Sequence, residues 1–71
     1  MNERLGKLAE IFQEAAEAER QARLRYEEAA MLCDDPILRD VLTAMAQDEA
    51  RHEQEVIARF RQIAQQMGGV H

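Results

Sequence analysis

The chain has 71 residues with 14 acidic and 9 basic side chains, a net charge of −5, one cysteine and no tryptophan. An acidic balance with arginines scattered among glutamates excludes the basic stripe a nucleic-acid-binding surface needs, and a single cysteine excludes an intramolecular disulfide or a cysteine-rich zinc site. So short a chain rarely buries enough apolar surface to be stable alone, and help from a partner or a metal is expected.

The N-terminal stretch lacks the apolar core of a signal peptide, and no apolar run approaches the roughly 18 residues a spanning helix requires. With Cys33 as the lone thiol, a reducing compartment and a cytoplasmic location are expected, without a membrane partner. Glycine and proline occur only at Gly6, Pro36, Gly68 and Gly69, and the composition is otherwise rich in helix formers, so the expected fold is all-α.

In chain order, Asn2 is a candidate N-cap with Glu3 adding negative charge to the first turn. The first helix is expected over about residues 3–32, with a seam of Leu5, Leu8, Phe12, Ala15, Glu19, Ala22, Tyr26, Ala29 and Cys33 at alternating steps of three and four. Glu19 is the only charge in that seam. The opposite face, from Lys7 to Glu28, reads as solvated surface, and Arg20, Arg23 and Arg51 have only a surface role.

The pattern breaks at residues 33–36, where Asp35 suits an N-cap and Pro36 the first helical position. The second helix is expected over about residues 36–67. Its seam runs Leu38, Leu42, Met45, Glu49, His52, Val56, Phe60, Ile63 and Met67, again apolar except at the middle. Asp48 and Glu53 read as solvated flank, Cys33 as a small buried residue, and Met31, Met45 and Met67 as core filler. Residues 68–71 form a tail, with Gly68-Gly69 as a stop signal and no role for Val70-His71.

Two long helices joined by so short a turn must form an antiparallel hairpin about 45 Å long at 1.5 Å per residue. One hairpin cannot cover both seams. A second copy would, closing a homodimeric four-helix bundle, with higher assembly left open. Glu19 lies 14 residues before Cys33 and Glu49 lies 13 after Pro36, so both sit about 20 Å from the turn. His52, three residues beyond Glu49, shares its face.

That depth is close to the midpoint of both helices, where an antiparallel dimer superposes its half-sites. Four glutamates and two histidines would then meet, the donor set of ferritin-like di-iron and di-manganese bundles. Without cations, buried carboxylates would each cost several kcal/mol and repel one another. The oxygen-rich donors suit two iron ions per dimer, with manganese the alternative. Ala15, Ala16, Ala22, Ala46 and Ala50 leave room around the carboxylates. Tyr26, two turns from Glu19, reads either as a core tyrosine or as a group that hydrogen-bonds a ligating carboxylate or supplies an electron.

The stretch from Glu19 to Tyr26, the Asp-Pro turn, and Met45-Ala-Gln-Asp-Glu49-Ala-Arg-His52 resemble the rubrerythrin branch of the ferritin-like superfamily, over about residues 15–56. With one helical pair instead of two, the chain is most similar to the half-size encapsulated ferritins, whose subunits pair to complete a di-iron ferroxidase centre. The resemblance implies Glu19, Glu49 and His52 as metal ligands, Tyr26 beside the centre, and oxidation of Fe(II) by oxygen or peroxide in iron handling or oxidative-stress defence. It also implies an encapsulin shell as a partner and a protein compartment as a location, although no targeting tail is seen. Two other readings stand beside it. One is a rubrerythrin-like peroxide reductase using an external electron donor; the other is a non-enzymatic helical dimerisation module in which the polar seam residues set register.

Overall fold

In the structure, a computed structural model, residues 3–68 are described. Helix α1 spans Glu3–Leu32 and α2 spans Pro36–Gly68, with no strand among the described residues. They run side by side as an antiparallel hairpin 53 Å long and 16 by 13 Å across. The expected Asn2 cap and the tail residues 69–71 lie outside the described residues, as does the side-chain environment of Met67.

The turn is held from both sides. Asp35 Oδ1 accepts from the backbone N–H groups of Ile37 at 2.9 Å and Leu38 at 3.3 Å, satisfying two of the donors that a helix start leaves without intrahelical partners. The last turn of α1 contains no basic residue of its own. Its carbonyls are served from the other helix: the Arg39 guanidinium donates twice to the Cys33 carbonyl, from Nε at 3.1 Å and Nη2 at 2.7 Å. This places a cation at the negative end of the α1 dipole and ties the two helix ends together. Cys33 is half-buried, with its thiol 3.5 Å from the Asp35 carbonyl.

The core between the helices is thin. Only Ala30 and Ala46 are buried among the described residues. Small residues at these positions let the helices approach closely, but they remove little apolar surface from water. Leu8, Ile11, Leu38, Val41 and Met45 remain exposed. Met31, expected as core filler, is corrected by the structure at 85% exposed, while Met45 is 37% exposed in the single hairpin. Met31 lies along the open groove between the helices with Arg39 and Thr43, and Met45 lies on a flank of α2 that α1 leaves open.

An 8.2 kDa compact monomer would expose about 4,500 Å² by the usual scaling of surface with mass, whereas this hairpin exposes 5496 Å². Its radius of gyration of 16.2 Å likewise exceeds the ~11 Å expected of a compact domain of this length. Among the described residues no helix is long and apolar enough to cross a membrane.

The Asp35 cap provides a direct test of the turn. Asp35→Ala should lower unfolding stability by about 1 kcal/mol in chemical denaturation at fixed protein concentration. Asp34→Ala, which removes an exposed side chain with no cap contact, should change it by less than about 0.5 kcal/mol. Equal losses from both would place the effect outside the cap.

Candidate metal centre

At about 100° per residue, Glu19 sits on the side of α1 that meets α2, and Glu49 on the side of α2 that meets α1. His52 follows one turn later, rotated toward the flank that carries Leu38, Val41 and Met45. Because the helices are antiparallel, that flank and the Leu8–Ile11–Ala15–Ala22 flank of α1 form one continuous face of the hairpin. His52 looks onto this face with its side chain 44% exposed, while Glu19 and Glu49 are only 29% and 21% exposed.

Glu19, Glu49 and His52 come together across the helix pair. His52 Nδ1 lies 3.6 Å from Glu49 Oε1 and 4.0 Å from Glu19 Oε1, and each residue offers a ligand atom within 4.8 Å of the others. Donors about 2.0–2.2 Å from a common ion are separated by roughly 3 to 4.4 Å, so the three need only small side-chain adjustments to share one cation. No other group of three such residues with this spacing occurs among the described residues.

The electrostatics carry the mark of two acids sharing a site. The Glu19 carboxyl is raised above its ordinary value of 4.5, first by a hydrogen bond with Glu49 in the protonated form, then by desolvation and by repulsion from the Glu49 charge; His52 opposes the shift and Glu53 adds to it. With both carboxyls ionised that hydrogen bond is lost, and Glu49 Oε1 is a buried acceptor without a donor. Such an oxygen is costly until a proton or a cation satisfies it.

Tyr26 is half-buried, and its hydroxyl donates to none of the three among the described residues. Beside the cluster is a contact that the surface readings of Arg23 and Glu53 missed. Arg23 Nε reaches across the hairpin to Glu53 Oε1 at 3.4 Å, and its Nη1 holds Glu27 Oε2 at 3.3 Å. Arg23 is 25% exposed and Glu53 19%, so neither belongs to the solvated flank. Spacing contained the signal: Arg23 follows Glu19 by four residues and Glu53 follows Glu49 by four, one turn onward on nearly the same faces. By contrast, Lys7–Glu10, Arg20–Glu17 and Arg51–Asp48 are exposed pairs within single helices, of small energetic consequence.

No family model, curated protein or solved structure matches the chain. The chemistry of the site therefore rests on its own donors.

The raised Glu19 carboxyl predicts a pH dependence of definite sign. The folded state holds this proton more tightly than the unfolded chain, so its contribution is fully present below the ordinary value of 4.5 and is lost as pH rises through the folded value. In chelator, Glu19→Gln, which stays neutral, should therefore melt at a higher temperature than wild type at about pH 7, the two converging near pH 4. Parallel melting curves across that range would assign the slope to other groups.

Proposed function

We propose that two copies of this hairpin pair through the face bearing Leu8, Ile11, Leu38, Val41 and Met45, forming a ferritin-like four-helix bundle with a di-iron carboxylate centre at the dimer midpoint. Glu19, Glu49 and His52 of each chain are the ligands, and Fe(II) oxidation by oxygen or peroxide is the activity. This places the protein in iron handling or oxidative-stress defence.

The single observation that carries this reading is the cluster itself: two opposed carboxylates and an imidazole within 4.8 Å, with one carboxylate oxygen buried and unpartnered. Four carboxylates and two imidazoles from two chains balance the charge of two divalent cations and leave room for an oxidant. Bound iron supplies one electron per ion. The protein's part is to hold both ions in one dry, acidic pocket, where the carboxylates favour the trivalent product over the divalent substrate. Manganese fits the same donor set.

The surface supports the pairing. The hairpin's exposed area exceeds that of a compact chain by about 1,000 Å², comparable to the ~800 Å² each partner contributes to a standard interface. The exposed apolar residues also repeat at the offset of the ligands: Leu8 and Leu38, Ile11 and Val41, Ala15 and Met45, and Glu19 and Glu49 are each 30 positions apart. On α1 these residues run from the ligand level toward the open end of the hairpin, and on α2 from the same level toward the turn. A two-fold axis perpendicular to the helices at the ligand level therefore sets Leu8 of one copy beside Leu38 of the other, about 16 Å from the centre at 1.5 Å per residue.

Native mass measurement with and without Fe(II), followed by anaerobic metal binding, tests the centre. Wild type should be a dimer binding two ions per dimer, and Glu49→Ala should lose most of its bound metal. Fe(II) oxidation by Glu49→Ala should fall at least tenfold, about 1.4 kcal/mol in barrier. A dimer indifferent to metal and to chelator would establish the helical-interaction reading instead, and turnover faster with peroxide than with oxygen would favour the peroxide reductase.

A further inference from the structure

Among the described residues, the ion pairs made by Lys and Arg lie within single helices with one exception, the contact of Arg23 Nε with Glu53 Oε1 at 3.4 Å. It joins two side chains that are each more sheltered from water than Glu19 itself. The other end of the same guanidinium is held on α1, where Nη1 lies 3.3 Å from Glu27 Oε2. A guanidinium gripped at both ends is fixed in direction, which a compact ammonium is not.

Counting residues places this bridge beside the cluster. Arg23 follows Glu19 by four residues and Glu53 follows Glu49 by four, so each Cα lies about 6 Å along its helix from that of the ligand. In an antiparallel pair the two shifts are opposed: Arg23 is nearer the turn and Glu53 farther from it. Helical side chains lean toward the N-terminus of their own helix, so Arg23 leans back toward the open end and Glu53 toward the turn. They converge at the depth of Glu19 and Glu49. Four residues also rotate both side chains about 40° from the ligands, whereas His52, three residues on, rotates about 60° the other way. The bridge thus spans the helices at the height of the cluster, on the side away from His52, and the Glu53 charge is felt at the Glu19 carboxyl.

Something must hold the ligands at their spacing before a cation arrives. Ionised, Glu19 and Glu49 repel, and the buried alanines Ala30 and Ala46 lie nearer the turn and offer little apolar surface to resist a widening of the gap. Donors to one ion must stay within roughly 4.4 Å of each other, a tolerance that a small outward movement of either helix exceeds.

We infer that the Arg23–Glu53 bridge is a strut that fixes the separation of α1 and α2 at the level of Glu19 and Glu49, making Arg23 and Glu53 positioning residues for the cation site. Neither contacts the metal. Their charges cancel, so the contribution is geometric: the ligands are held near their bound spacing in advance, and binding has less ordering left to do. This inference rests on the metal-centre reading above.

The experiment is equilibrium titration of the chelator-stripped full chain with Co(II), followed by visible absorption and calorimetry where circular dichroism shows the chain folded. Arg23→Gln/Glu53→Gln removes the bridge and leaves the net charge unchanged. It should bind Co(II) roughly three- to tenfold more weakly than wild type at the same stoichiometry, the loss expected of one partly buried ion pair. The reversed pair, Arg23→Glu/Glu53→Arg, should return to within about twofold of wild type. Glu17→Gln/Arg20→Gln removes an exposed pair within α1, again without changing net charge, and should bind as wild type does.

Wild-type affinity in Arg23→Gln/Glu53→Gln overturns the strut and leaves the centre intact, even where the metal-free variant melts at a lower temperature, since the bridge then serves the fold alone. Equal weakening by the Glu17/Arg20 variant also overturns it, as does a reversed pair that binds no better than the double glutamine variant. Should the double glutamine variant fail to fold, Glu53→Asp decides instead: it keeps every charge and shortens one arm by a methylene, and it should weaken binding at least about twofold, with unchanged binding overturning the strut. A wild type that binds no Co(II), or binds it as Glu49→Ala does, overturns the metal centre and the strut together.

Discussion

The structure turns on the meeting of Glu19 and Glu49 across a helix pair whose apolar core is thin. Each carboxylate comes from the middle of a long helix, and the two face each other across the pair while remaining partly exposed. Ionised, they repel, and one oxygen of Glu49 has no donor. The neighbouring core of Ala30 and Ala46 brings the helices close enough for this contact but stabilises them only modestly. With so small an apolar core beside it, the repulsion of this pair is relieved by whatever neutralises it. A proton does so at low pH; a cation would do so at any pH where the ligands are ionised.

The residues around that pair divide into two sides. Toward one face lie His52 and the exposed leucine, isoleucine, valine and methionine side chains, an apolar surface interrupted by one imidazole. Toward the other lie Arg23, Glu53 and Glu27, a charged seam that bridges the helices at 3.3 to 3.4 Å. The asymmetry follows from helical geometry: residues three after a central position and residues four after it rotate to opposite sides of the contact line. Glu49 thus has His52 on the apolar side and Glu53 on the charged side.

The turn is held by charge as well. Asp35 caps the start of α2 and Arg39 the end of α1, each compensating backbone groups left without partners by the short connection. With both helix ends fixed, the depth of Glu19 below the turn is matched to that of Glu49 and His52. The register of the cluster is set some 20 Å away, by the length of a short turn capped from both sides.

The sequence alone determined the two helices, through their apolar periodicity and the Asp-Pro break, and it determined the juxtaposition of Glu19, Glu49 and His52, because depth along a tight hairpin is a matter of counting residues. It also marked Asp35 as a cap. Only the tertiary structure decided how much of each seam the hairpin buries, exposing Met31 where periodicity alone suggested core. It likewise decided that Arg39 reaches back to the Cys33 carbonyl and that Arg23 spans to Glu53. Spacing reports which face a side chain occupies, but not how far a long, flexible one extends or whether a neighbouring helix covers it. Those outcomes depend on the crossing of two helices whose contact is made by alanines, and that close approach exists only in the assembled hairpin.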